Sequence, residues 1–151
     1  MMARITRRRF VKIGTAAALC ALCPSSLLRA QPPAAKVIDC GPLTDFKEDG
    51  IYEAFVGREF FLIRSEGRLY AASNICTDEV YTLTPAPDRK SLYCRKHKSY
   101  FNLDGSVLKG RPKVGLPRFR IGLDARKHVI VDLRESFSQE RWNEAGASLA
   151  V

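Results

Sequence analysis

Residues 59–73 read Glu59-Phe60-Phe61-Leu62-Ile63-Arg64, then Ser65-Glu66-Gly67, then Arg68-Leu69-Tyr70-Ala71-Ala72-Ser73. Two apolar runs flank a short polar segment that ends in glycine, which is the pattern of an antiparallel β-hairpin. Further runs of the same kind lie on either side. Val37-Ile38-Asp39-Cys40 is closed by Gly41-Pro42, and downstream come Leu92-Tyr93-Cys94, Tyr100-Phe101, Phe119–Leu123 and His128–Leu133. Gly57, Pro85, Pro87, Gly105, Gly110, Pro112, Gly115 and Pro117 punctuate the segments between them. From residue 37 onward no stretch sustains a 3.6-residue apolar period, and there is no internal repeat. The expectation is an all-β, antiparallel domain over residues 31–133. A tail over 134–151 follows, pinned to the body by Phe137 and Trp142.

The chain has 151 residues, 46% of them hydrophobic and 27% charged, with a formal net charge of +9. That length suits one domain with its own core, and the balance excludes a disordered polymer or a multi-pass membrane protein. Five cysteines are too few for a disulfide-built scaffold. Arg4, Arg7, Arg8, Arg9, Lys12 and Arg29 fall within residues 1–30, which contain no acid. A basic run, an apolar stretch from Ile13 to Leu22 and then small residues make a targeting segment. The stretch is shorter than the ~20 apolar residues of a membrane span. Thr6-Arg7-Arg8-Arg9-Phe10-Val11-Lys12 resembles the twin-arginine export signal Ser/Thr-Arg-Arg-x-Phe-Leu-Lys. Such signals are addresses read by a receptor, and this one implies a periplasmic protein exported already folded around a cofactor. Cleavage is expected after Ala30; left uncleaved, the segment would serve as a single N-terminal membrane anchor.

Two loops carry chemistry. The first is Asn74-Ile75-Cys76-Thr77-Asp78-Glu79-Val80 and the second Tyr93-Cys94-Arg95-Lys96-His97-Lys98-Ser99. Cys-x-Asp is thus followed, 18 residues from cysteine to cysteine, by Cys-x-x-His. Thiolate, carboxylate and imidazole at the ends of short strands suit a metal site, since two tight turns can aim four donors at one point. The spacing leaves open an iron–sulfur cluster, a zinc ion, or a set of ordinary core residues. Cys40 reads as a strand residue rather than a further donor.

These loops resemble the Rieske family, whose pattern is Cys-x-His followed by Cys-x-x-His. Two cysteines there bind one iron of a [2Fe–2S] cluster and two histidines the other. The likeness extends to Leu83, seven residues after Cys76; to Phe101 and Asp104-Gly105 after His97; and to Gly110 and Leu116-Pro117-Arg118-Phe119. The resemblance implies an antiparallel β-sandwich with a small cluster-binding subdomain, a [2Fe–2S] cofactor, and Cys76, Asp78, Cys94 and His97 as its ligands. Asp78 stands where the family has its first histidine. Tyr81 and Lys96 stand where high-potential members carry a disulfide, and Lys98 where glycine is common. A carboxylate ligand adds negative charge, so the potential is expected below the ~−150 to +300 mV of two-histidine centres.

Outside the signal, 19 basic residues face 16 acids. Ten of those 19 lie between Arg89 and Arg120, where Asp104 is the one acid. A positive rim beside a cluster loop suits an acidic redox partner. The resemblance points to a molybdopterin oxidoreductase subunit or a cytochrome, with this chain as an electron-transfer protein or small subunit. No base-stacking motif accompanies the basic run, so nucleic acid is not expected. No nucleophile–base pair is visible, so independent catalysis is not expected either. The reading from another class is a cluster-free or zinc-stabilised β module that serves as an assembly partner.

Overall fold

The computed structural model describes residues 36–151; the export signal read in residues 1–30 lies outside them. The strands are β1 (Val37–Pro42), β2 (Gly50–Tyr52), β3 (Phe60–Ser65), β4 (Arg68–Ser73), β5 (Thr84–Pro85) and β6 (Leu92–Cys94). They continue with β7 (Ser99–Phe101), β8 (Val107–Lys109), β9 (Arg118–Leu123), β10 (His128–Phe137) and β11 (Leu149–Ala150). Among the described residues the helical segments are single turns of 3-10 type. A seven-stranded sheet runs β1-β10-β9-β4-β3-β2, with β11 also on β4, and a four-stranded sheet runs β5-β6-β7-β8. All pairings are antiparallel.

The hairpin sits at the centre of the large sheet. Ser65 pairs with Arg68, which leaves Glu66-Gly67 as a two-residue loop with φ of 53° and 71°. Two left-handed residues make the type I′ turn whose twist matches that of the strands, and the glycine takes one of them without strain. Phe60, Phe61, Leu62 and Ile63 are all fully buried. An unbroken apolar run on one strand means that both faces of the sheet are covered, because alternate side chains point to opposite sides. Phe60 and Leu62 join Leu69, Ala71, Val129 and Val131 in one core. Phe61 and Ile63 join Leu83, Leu92, Phe101 and Leu116 in the other, which also contains Cys76 and Cys94.

That second core is where the two sheets meet. β4 and β9 are neighbours in the large sheet, yet residues 74–117 lie between them in sequence. This excursion forms the small sheet, whose Leu92, Cys94 and Phe101 point inward while Tyr93 and Tyr100 stack at 4.8 Å on the outer face. The all-β sandwich with a small subdomain is therefore the architecture of the chain. The boundary expected at Arg134 falls inside β10, which runs on to the fully buried Phe137. Beyond it Trp142 covers the Arg118 guanidinium at 3.8 Å, with Tyr70 on its other side at 4.2 Å, and β11 pairs with β4. A cation between two aromatic faces and a closing strand fasten residues 138–151 to the body.

Candidate metal centre

The first loop leaves β4 at Asn74 and is closed by backbone hydrogen bonds from Leu83 N–H to Asn74 O, 2.7 Å, and from Cys76 N–H to Tyr81 O, 2.9 Å. A bridge between Ile75 and Thr82 continues the ladder, so Thr77, Asp78, Glu79 and Val80 form its tip. Burial pushes the Cys76 thiol above its ordinary pKa, and neighbouring Cys94 adds to the rise. The backbone N–H groups of Asp78 and Glu79 donate to the Cys76 sulfur and act the other way. Donors aimed at sulfur favour the thiolate, the form that binds metal.

The second loop joins β6 to β7. Cys94 pairs with Ser99, so Arg95, Lys96, His97 and Lys98 make the turn, with Lys98 in the left-handed region at φ 50°. Glycine takes that conformation freely, and lysine does so at a cost of about 1–2 kcal/mol. A third loop, residues 110–117, lies against the first. Thr77 Oγ1 donates to Val114 O at 2.8 Å, and Arg111 Nε lies 3.4 Å from Asp78 Oδ2. Gly110, at φ +120°, faces Ser99 so closely that a Cβ there would sit 2.3 Å from Ser99 Oγ. Only glycine fits between the loops at that point.

The structure brings the four sequence-identified residues together. His97 Nδ1 lies 3.3 Å from Cys94 Sγ and 3.6 Å from Cys76 Sγ, and Asp78 Oδ2 lies 3.6 Å from the same nitrogen. Both cysteines are buried, and the His97 side chain is 4% exposed. Asp78 Oδ2 and His97 Nε2 are buried without a hydrogen-bond partner. Buried polar atoms are nearly always partnered, and Asp78 Oδ2, on the Nδ1 side of the ring where both sulfurs lie, marks a place for a further group. The donors arrive as a thiolate pair and an imidazole–carboxylate pair joined at Nδ1. In donor type these pairs suit a two-iron cluster, one pair for each iron, while the Sγ–Nδ1 separations of 3.3 and 3.6 Å are those of donors around a single ion.

The family model of the Rieske [2Fe-2S] domain matches residues 36–120, more than half of the chain. The chain belongs to the Rieske [2Fe-2S] domain family. Comparison with curated proteins gives no match. Rieske domains bind a [2Fe–2S] cluster, and an iron–sulfur electron-transfer role follows for this one.

Within this Rieske domain, Lys96 bonds to Glu79 of the first loop and so ties the two loops together. Among the described residues the cysteines are free thiols. Cys40 is half-buried on β1 and packs with the other core, and burial pushes its thiol up to about 12. Glu79, Arg111 and Thr77 are the site residues that motif reading missed. The available signal was a pair of opposite charges, Glu79 and Lys96, placed one in each loop.

The basic segment also resolves into parts. Arg89 pairs with Glu53, Lys96 with Glu79, Arg111 with Asp78 and Arg120 with Glu135, while Arg118 is buried. Arg95, Lys98, Lys109 and Lys113 are exposed and make no ion pair among the described residues.

Proposed function

We propose that this Rieske domain is an exported, periplasmic one-electron carrier, or the small subunit of a respiratory oxidoreductase. Its [2Fe–2S] cluster would be held by Cys76 and Cys94 on one iron and by His97 and Asp78 on the other. The observation that carries the reading is the convergence of the other three donors, Cys76, Cys94 and Asp78, from two separate loops, on His97 Nδ1. When bound, the cluster takes up and releases one electron at a time.

The chain's own residues do the rest. Leu83, Leu92, Phe101 and Leu116 back the cysteines with apolar packing and keep water from that side. The amides of Asp78 and Glu79 support negative charge on Cys76 sulfur. Arg111 partly balances the Asp78 carboxylate from an exposed position. Arg95, Lys98, Lys109 and Lys113 would present a positive field to an acidic partner, a molybdopterin oxidoreductase subunit or a cytochrome. Export rests on the twin-arginine-like run of residues 6–12.

A second reading is zinc. Zinc–sulfur bonds of about 2.3 Å and zinc–nitrogen bonds of about 2.0 Å place tetrahedral donors roughly 3.5 Å apart, and the Sγ–Nδ1 separations are of that order. Anaerobic reconstitution followed by iron, sulfide and zinc analysis and by EPR separates the two. Two irons and two sulfides with a rhombic signal on reduction support the cluster; stoichiometric zinc without iron overturns it.

A further inference from the structure

Two acids flank His97, one at each ring nitrogen. Asp78 Oδ2 faces Nδ1 at 3.6 Å, on the side where both cysteine sulfurs lie. Glu79 Oε2 faces Nε2 at the same distance, on the side away from them. Neighbours in sequence are thereby set to different tasks. A donor that shares a metal with the imidazole must approach the nitrogen that binds it, and Asp78 does. Glu79 lies at the other nitrogen, which carries the proton when Nδ1 binds metal.

Nε2 is buried and lacks a hydrogen-bond partner, and the His97 side chain is 4% exposed. Metal-bound imidazoles regularly donate their second N–H to a carboxylate, which fixes the ring and makes it a stronger donor. Glu79 is itself fixed, because Lys96 Nζ donates to the same Oε2 that faces the ring. Glu79 and Lys96 are both about half exposed, so their pairing lies over the imidazole edge at the surface.

We propose that Glu79 is a positioning residue for His97, acting as the carboxylate partner of Nε2, and that Lys96 holds it there as a non-covalent clasp between the two cluster loops. The proposal rests on the reading that His97 binds the cluster through Nδ1. It has a consequence for partner choice. A small organic donor that must hydrogen-bond to the imidazole N–H finds that group taken, so electrons would enter from a protein surface.

The two halves of the clasp make opposite predictions for the midpoint potential. Removing the negative charge in Glu79→Gln favours the reduced state and raises the potential. A tenfold change in relative stability of the two redox states corresponds to a 59 mV shift for one electron, and a shift of that order is expected. Removing the positive charge in Lys96→Met leaves the carboxylate uncompensated and lowers the potential. A merely structural clasp would move both variants the same way, because either one breaks the tie. Pulsed EPR of the reduced protein adds a direct readout, since the remote ring nitrogen reports its hydrogen bond. Its signal should change in Glu79→Ala and stay as in the parent in Lys90→Gln, an exposed position outside both loops. Opposite potential shifts with that nitrogen signature support the proposal. Shifts of the same sign, or no shift in Glu79→Gln with the cluster intact, overturn it while leaving the ligand set standing. A protein that takes up no iron overturns the ligand set and this proposal with it.

Discussion

Replacing Asp78 by histidine gives the most direct test of the ligand set. Asp78 is 16% exposed, and the nearest cation is Arg111, 3.4 Å away on a side chain that is 69% exposed. Its charge is therefore poorly screened on the side that faces the cysteines. An added electron on a cluster held here sits within about 4–8 Å of the carboxylate, so at an effective dielectric near 20 the repulsion is roughly 2–4 kcal/mol. With about 1.4 kcal/mol to each tenfold change, and 59 mV per tenfold change for one electron, Asp78→His should raise the potential by about 80–170 mV. The release of Arg111 from its partner adds in the same direction. Asp78→Asn removes the charge without supplying a second imidazole, which separates charge from ligand type. Redox titration followed by EPR, with iron content measured on the same samples, gives the answer. A fully loaded Asp78→His protein whose potential equals that of the parent would mean that the carboxylate does not face the cluster, and the assignment of Asp78 would fall.

Three other expectations follow. Gly110→Ala should destabilise the fold by about 2–4 kcal/mol in urea unfolding, because a Cβ at φ +120° would meet Ser99 Oγ at 2.3 Å and its backbone Cα at 2.7 Å; a loss under 1 kcal/mol would contradict that packing. Reversing charge in Arg95→Glu/Lys98→Glu should slow electron transfer to an acidic acceptor protein about tenfold at low ionic strength, with the difference closing near 0.5 M salt; a rate equal to the parent at low salt would remove the basic rim from partner docking. The Arg134 side chain and backbone N–H hold the Asp132 carboxyl down to about 2. A depressed carboxylate contributes stability above its unfolded pKa of 3.8, lost as pH falls from there to about 2. Arg134→Ala should therefore lower stability at pH 7, and only slightly because Arg134 is 61% exposed. The difference should vanish near pH 2; a gap that persists there would point to packing instead.

The strands that could be read from sequence are those with alternation or an unbroken apolar run, such as Phe60–Ile63 and His128–Leu133. The four that escaped are β2, β5, β8 and β11, each of two or three residues, and no periodicity can be read from so few positions. The continuation of β10 escaped for another reason. Register shifts between Asp132 and Ser136, and such an irregularity breaks the alternation that would have carried the strand on to Phe137. At the site, the grouping of Cys76, Asp78, Cys94 and His97 was legible through the likeness to a family motif, since spacing alone left a cluster, a zinc ion or ordinary core residues open. The second layer was not. Glu79 meets Lys96 only because the first loop folds back at Tyr81 and the second turns at Lys98, and Arg111 reaches Asp78 only because Gly110 lets its loop lie against Ser99. Contacts of that kind depend on three loops at once.

The ties between those loops also bear on when the site forms. Glu79–Lys96 joins the first loop to the second, and Thr77–Val114 and Arg111–Asp78 join the first to the third. Each is exposed on at least one side and, taken alone, worth about 1 kcal/mol or less. A disulfide across the same loops would add about 2–4 kcal/mol by restricting the unfolded chain. The cysteines themselves are anchored on the apolar core with Leu83, Leu92 and Phe101, so half of the proposed donor set is held by packing alone. The other half, His97 and Asp78, depends on the weaker ties. Cofactor binding and closure of the loop tips should then be coupled, because donors that are ordered only on binding contribute their binding energy to local folding. Such coupling makes the loaded form the better-ordered one. That suits a protein whose N-terminal sequence resembles the address of a route taken after folding and cofactor loading are complete.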